Sequence, residues 1–175
     1  MWIKALWEKR SATGPMPIEI ERKFLVVGDG WRQGADAGRA LRQGYVVREG
    51  KASVRIRLAG NRGWITLKSA RAGMVRDEFE YEIAAGEAAD MLDRLCSGPL
   101  IEKTRYKVPH GGRIWEVDVF AGTAAGLVLA EVELDAADAQ VDLPAWVGRE
   151  VTDDPRYRNA AIGLAVPTDQ ECEGA

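Results

Sequence analysis

The feature that most constrains this chain is a strand-like segment near its start in which charged and apolar residues alternate. The segment reads Glu19-Ile20-Glu21-Arg22-Lys23-Phe24. In a β-strand, Glu19, Glu21 and Lys23 share one face, because successive side chains point to opposite faces. Carboxylates at this spacing can hold a hard divalent cation, and a nearby lysine can hold a phosphate oxygen. Taken alone, however, the segment is better explained as a strand with one solvated face.

The same alternation returns along the chain, in segments where the charges are sorted by sign. Besides the first strand at about 18–27, strands are predicted at about 40–47, 53–59, 64–69, 77–83, 100–108, 113–120 and 127–135. Their charged positions are Arg55 with Arg57, Lys68, Glu78 with Glu80 and Glu82, Lys103 with Arg105, Glu116 with Asp118, and Glu131 with Glu133. A solubilising surface usually mixes the two signs. The sorting therefore favours charged faces that point inward.

These strands predict a mainly β (α+β) fold, an eight-stranded antiparallel closed β-barrel with a few flanking helices. Short turns between consecutive strands favour antiparallel pairing, and closure removes the exposed sheet edges. Further patterns predict one helix at about 87–96 and another at about 155–164. Charges of both signs inside a barrel need partners. A polyphosphate with Mg²⁺ or Mn²⁺ would supply them, because these ions bridge protein carboxylates to phosphates.

Composition excludes several other classes of protein. The chain has 175 residues, the length of one domain, and its formal net charge of −3 argues against a general nucleic-acid binder. Its two cysteines, Cys96 and Cys172, exclude a disulfide framework or a zinc site built on cysteines, and they suit the cytoplasm. The single histidine, His110, excludes a histidine-rich metal site. No apolar run in the sequence is long enough to span a membrane.

The chain divides into three predicted parts. Residues 1–15 are expected to be a loose N-terminal extension, residues 16–166 the barrel domain, and residues 167–175 an acidic tail. A small-molecule substrate is the only binding partner that the pattern predicts. The sequence is compatible with either a monomer or a homodimer.

An ordered series of motifs covers essentially Pro17 to Ala165. It comprises Glu19-x-Glu21-x-Lys23, Gln43-Gly44-Tyr45, Arg55-Ile56-Arg57, Thr66-Leu67-Lys68, Arg76 through Ile83, Lys103-Thr104-Arg105, Glu116-Val117-Asp118, Glu131-Val132-Glu133, and Glu150-Val151-Thr152 with Tyr157 and Asn159. One of these motifs would be weak evidence, whereas the ordered series is specific. The series resembles the CYTH superfamily, the triphosphate tunnel metalloenzymes, and within it the small bacterial inorganic triphosphatases.

The resemblance implies a role for each charged residue of the series. Implied phosphate-binding residues are Lys23, Arg55, Arg57, Lys68, Lys103 and Arg105. Implied metal ligands are Glu19, Glu21, Glu78, Glu80, Asp118, Glu131 and Glu133. Implied catalytic residues are Glu19, Glu21, Lys23, Glu80, Glu116 and Asp118. Glu82 is left outside these sets because it lies toward the end of its strand. Tyr157 and Asn159 would lie near one tunnel mouth, and simple packing explains them equally well.

The resemblance implies an Mg²⁺- or Mn²⁺-dependent triphosphatase, most simply one that hydrolyses inorganic tripolyphosphate to pyrophosphate and phosphate. An organic triphosphate, such as thiamine triphosphate or a nucleoside triphosphate, would fit the same charges. The same charges could also serve a class IV adenylate cyclase, which cyclises a nucleoside triphosphate, although the sequence shows no motif for recognising the base. A polyphosphate or nucleotide sensor is the alternative that is not an enzyme. A sensor that only binds phosphate would need mainly cations, so it does not explain the many carboxylates. Least favoured is a barrel with all its charges in solvent.

Overall fold

The structure is a computed structural model that describes residues 18–48, 50–70 and 75–164. The predicted extension at 1–15 and the predicted tail at 167–175 lie outside these ranges, so the three-part division stays a prediction. Within the same ranges, no helix has the length and apolar character needed to cross a membrane.

Strands dominate the described part of the chain. The elements are β1 (Ile18–Val26), β2 (Arg39–Val47), β3 (Ala52–Ala59), β4 (Arg62–Ser69), β5 (Val75–Ala84), α1 (Ala85–Arg94), β6 (Ser97–His110), β7 (Arg113–Phe120), β8 (Val128–Glu133), β9 (Val147–Glu150) and α2 (Asn159–Ile162). The predicted strands and the first helix are confirmed. The predicted helix at 155–164 is wrong in form, since it is a 3₁₀ turn at Pro155–Tyr157 followed by the short α2.

The first eight strands close into an antiparallel barrel. Neighbours follow the order β5-β4-β3-β2-β6-β7-β8-β1, and β1 pairs with β5 to complete the ring. This closing contact is short, running from the pair Ile18 and Asp77 to the pair Ile20 and Val75. Beyond it, β9 takes the same edge of β1, with Phe24 opposite Glu150. The barrel is therefore closed as predicted, with one additional strand.

Apolar side chains cover the outer face of the barrel. The stripe on α1 places Ala88 and Leu92 against Ile56 of β3. Gly63 on β4 permits this close approach, because a Cβ there would lie 2.4 Å from the Cβ of Ala88. A second outer cluster surrounds the fully buried Trp115 of β7. Both clusters leave the charged face of each strand directed inward.

One end of the barrel interior is filled with apolar side chains. Tyr45, Ile101 and Phe120 lie on the inward face there and pack with Tyr157 and Ile162 from the C-terminal segment. Burial of this cluster holds α2 inside that end, because removing apolar surface from water stabilises the packing between α2 and the strands. The charged part of the interior is thereby confined to the remainder of the barrel.

Candidate active site

A cavity of about 530 Å³ occupies the charged part of the barrel. Eleven of the residues predicted for the site line it: Glu19, Glu21, Arg55, Arg57, Lys68, Glu78, Glu80, Arg105, Glu116, Glu131 and Glu133. Strand pairing explains the convergence, because directly opposed residues share a face. Glu21 is opposite Glu133, Lys68 is opposite Glu78, and Arg105 is opposite Asp118. The prediction that the sorted charges face inward is consistent with this register.

The structure places three predicted site residues beneath the cavity rather than on its wall. Lys23, Lys103 and Asp118 are 7%, 3% and 0% exposed, respectively. Lys103 Nζ donates to Asp118 Oδ2 at 2.5 Å, and Lys23 Nζ lies 2.8 Å from Glu131 Oε1. Lys103 and Asp118 can act on a ligand in the cavity chiefly through their neighbours, or after those neighbours move. Lys23 also borders a smaller recess beside Tyr157.

Arg105 connects the carboxylates of β7 and β8 into one network. Its guanidinium donates to Asp118 at 2.7 and 2.6 Å, to Glu131 at 2.7 Å, and also to Glu116. Charge-assisted hydrogen bonds of this kind are the strong ones in proteins. They fix the Arg105 head group at the cavity wall.

Burial and neighbouring charges shift the pKa of several groups in this network. Burial lowers the pKa of Lys103 to about 8, although Asp118 opposes the change. Burial alone would raise the pKa of Glu131, but Lys23 and Arg105 hold it well below its ordinary value. Burial raises the pKa of Glu116 despite the proximity of Arg105. Of the two carboxyls, Glu116 is thus the one closer to accepting a proton near neutral pH.

A second network lies on β3, β4, β5 and the start of β1. Lys68 Nζ is 2.5 Å from Glu19 Oε2 and 3.1 Å from Glu78 Oε2. Arg57 donates to Glu80 Oε2 at 2.6 Å. Burial and then the adjacent Arg55 lower the pKa of the Arg57 guanidinium. The two arginines therefore form a concentrated positive site that an anion would stabilise.

Two carboxylates of the cavity are poorly neutralised. Glu21 has only a distant ion pair, 3.9 Å from Lys23 Nζ, and Glu133 has none within the described residues. They face each other across β1 and β8, where like charges destabilise a strand pair. No three acidic, histidine or cysteine side chains in the described ranges already form a metal-binding cluster. The pair nevertheless fits Mg²⁺ or Mn²⁺, which prefer oxygen ligands.

The remaining predicted residues separate into different environments. Asn159 lines the cavity, and its Oδ1 accepts from Lys103 Nζ at 3.3 Å. Tyr157 is buried in the apolar end, which agrees with packing. Glu82 pairs with Arg62 at an exposed position near the end of β5 and does not line the cavity. Lys107 lines it without having been predicted. Its alternation with Lys103 and Arg105 was the signal that could have identified it.

Comparisons with known proteins agree with this arrangement. The family model for the CYTH domain matches residues 17–160. An inorganic triphosphatase from Acetivibrio thermocellus is 48% identical over 147 residues, covering 84% of this chain and 94% of that protein. An inorganic triphosphatase from Nitrosomonas europaea is 42% identical over 155 residues, covering 85% and 99%, respectively. The crystal structure of the inorganic triphosphatase NE1496 has a TM-score of 0.60 and 37% identity, covering 85% of this chain and 99% of that one.

Proposed function

The chain belongs to the CYTH domain family, and from that premise we propose that it is an enzyme that hydrolyses inorganic tripolyphosphate to pyrophosphate and phosphate. Two relatives, 48% identical over 147 residues and 42% identical over 155 residues, are inorganic triphosphatases. The observation that carries the proposal is the cavity in which Arg55, Arg57, Lys68 and Arg105 lie together with carboxylates of β1, β5, β7 and β8. A linear, highly charged anion with bound metal ions complements both sets of charges.

We propose that the cationic side chains bind the phosphoryl oxygens. Arg55, Arg57, Lys68 and Arg105 reach the cavity wall directly, and each now pairs with a carboxylate or a hydroxyl group. Substrate oxygens would replace those partners, and Arg can hold them through two parallel hydrogen bonds. Lys23 and Lys103 would add positive potential from beneath the wall. Fixed cations also stabilise the charge that develops on the leaving pyrophosphate.

Glu21 and Glu133 are the carboxylates best placed to hold the metal ion, for which we propose Mg²⁺ or Mn²⁺. A bound ion would neutralise charge on the phosphoryl oxygens and orient the triphosphate for in-line displacement. Glu19, Glu78 and Glu80 line the same cavity and stay proposed ligands. Glu131 and Asp118 are engaged with buried cations. We therefore expect them to contribute largely by holding Arg105, Lys23 and Lys103 in position.

The hydrolysis requires a group that accepts a proton from the attacking water. The water oxygen forms a bond to the terminal phosphorus as the bridging P–O bond breaks, and pyrophosphate leaves with the electron pair. Glu116 is our candidate acceptor, because burial raises its pKa toward the working range of a general base. Glu80 is less suited, since Arg57 and Thr66 hold its pKa below its ordinary value despite burial.

Phosphate release from a panel of substrates tests this function. The panel contains tripolyphosphate, ATP, thiamine triphosphate and pyrophosphate, each with Mg²⁺ and with Mn²⁺, and cyclic AMP is assayed in the ATP samples. We expect strong preference for tripolyphosphate. Cyclic AMP formation would assign the site to cyclisation, and tight tripolyphosphate binding without turnover would indicate a sensor. The low cysteine content further leads us to propose that the enzyme acts in the cytoplasm.

A further inference from the structure

Gln43, in the middle of β2, is a polar residue for which the mechanism above has no role. Its side chain is completely buried, with 0% exposure. Neither its Nε2 nor its Oε1 has a hydrogen-bond partner within residues 18–48, 50–70 and 75–164. A buried amide in this condition costs stability, because its hydrogen bonds to water are lost on folding and not replaced.

Gln43 lies beside the cationic side of the cavity without lining the cavity wall itself. It faces inward, opposite Arg57 on β3 and opposite Ile101 on β6. The next inward pair on β2 and β3 is Tyr45 with Arg55. Gln43 therefore lies on the same face as both arginines and beside one of them.

The same two arginines carry further unsatisfied donors. The Nε atoms of Arg55 and Arg57 are buried and have no hydrogen-bond partner within the described ranges. Their terminal nitrogens, by contrast, are engaged with Thr66 and Glu80. The unsatisfied groups of Gln43, Arg55 and Arg57 thus form one patch on two adjacent strands. Buried polar groups in native proteins are otherwise nearly always satisfied.

We propose that Gln43 is a substrate-positioning residue, whose amide bridges Arg57 and a phosphoryl oxygen of the bound triphosphate. Its Nε2 would donate to the phosphoryl oxygen, and its Oε1 would accept from the Nε–H of Arg57. This arrangement satisfies both atoms of the amide and fixes the guanidinium once substrate has displaced Glu80. The inference rests on the proposed function, since it requires a triphosphate in the cavity.

The sharpest test substitutes Gln43→Met, which keeps the length of the side chain and removes its hydrogen bonding. We expect the KM for tripolyphosphate to rise at least about tenfold, because hydrogen bonds to charged groups are the stronger ones. The kcat should change much less, and the midpoint of thermal unfolding should stay constant or rise. Gln43→Glu keeps the shape but adds negative charge beside the phosphates, so its KM should rise further.

Ile101→Val is the matched control, because Ile101 is the buried apolar neighbour of Gln43 on β6. It loosens packing at the same place without altering polarity and should leave KM unchanged. If Gln43→Met raises the unfolding midpoint but leaves KM unaltered, the amide has no part in binding and the inference is wrong. A large fall in the midpoint would also overturn it, since it would reveal a structural partner in the free protein. Failure of the wild-type protein to hydrolyse tripolyphosphate would instead count against the proposed function.

Discussion

Glu21 and Glu133 face each other directly across β1 and β8, and among the described residues no arginine or lysine nitrogen lies closer than 3.9 Å to either carboxylate. Every other carboxylate on the cavity wall lies within 3.1 Å of an arginine or lysine nitrogen. The barrel thus neutralises most of its internal acids but leaves one opposed pair. Repulsion within that pair is a cost that a bound divalent ion would remove.

Glu133→Gln should therefore separate metal binding from stability. Removing one of two opposed negative charges should leave the metal-free protein unchanged or stabilise it by about 0.2–1 kcal/mol. The affinity for Mn²⁺, measured by calorimetric titration, should fall at least about tenfold. Glu82→Gln is the control, because Glu82 pairs with Arg62 away from the cavity. Equal Mn²⁺ affinity in the wild type and Glu133→Gln would eliminate Glu133 as a ligand.

Arg57→Ala should weaken binding of tripolyphosphate more than binding of metal. Arg57 presents its guanidinium to the cavity and shares a positive site with Arg55. We expect about a tenfold or greater loss of tripolyphosphate affinity in calorimetry, as for one charge-assisted contact. Arg62→Ala is the control. It removes an exposed guanidinium that pairs with Glu82 and should have little effect on the affinity for tripolyphosphate or for metal. Parallel losses of metal and tripolyphosphate affinity in Arg57→Ala would indicate a structural role.

Lys103 should produce an alkaline limit in the pH profile of kcat/KM. Burial lowers its pKa to about 8, so its positive charge is present below that pH and lost above it. Because kcat/KM reports groups of the free enzyme, the wild-type value should decline above pH about 8. Lys103→Met lacks the charge at every pH and should be impaired mainly below pH 8.

The ratio of wild-type to Lys103→Met activity at each pH cancels the ionisation of the substrate itself. This ratio should be about ten or more at pH 7, as for loss of a charged contact, and approach one well above pH 8. A ratio that stays constant from pH 6 to pH 10 would contradict the role given to Lys103.

The C-terminal segment should contribute strongly to stability. Ile162 is 1% exposed and packs in the apolar end of the barrel. Ile162→Ala should lower the free energy of unfolding by about 2–5 kcal/mol in a denaturant titration. Leu164→Ala, two residues further on, removes a side chain that is 62% exposed and should change the value by less than about 0.5 kcal/mol. A similar small effect for both variants would mean that α2 does not anchor the barrel end.

Most of the barrel could be predicted from the sequence because its strands have one charged and one apolar face. Alternation such as Glu78, Glu80 and Glu82 against Phe79 and Tyr81 specifies a strand directly. Sorting of the charges by strand then indicated which face points inward. The same reasoning identified most of the charged residues that line the cavity, although it missed Lys107 and could not separate Arg105 at the wall from the buried Lys103, since depth depends on neighbouring strands.

The parts that sequence reasoning missed depend on tertiary contacts. Strand β9 is short, and it forms because β1 offers it a free edge beyond β5. The segment 155–164 has a helical pattern but forms only a 3₁₀ turn and α2, since its apolar residues pack inside the barrel. Gln43 belongs to one of the motifs of the series, but its neutral side chain indicates no role there, and the role proposed for it rests on its unsatisfied burial.

The most direct test of the central claim is the release of phosphate from tripolyphosphate as Mn²⁺ or Mg²⁺ is titrated into the metal-free wild-type protein and Glu21→Gln. We expect wild-type hydrolysis to begin with added metal, to saturate, and to stop on chelation. Glu21→Gln should fold normally, as judged by circular dichroism, and show almost no turnover. Hydrolysis that persists without metal, or that Glu21→Gln retains at the wild-type rate, would contradict the account.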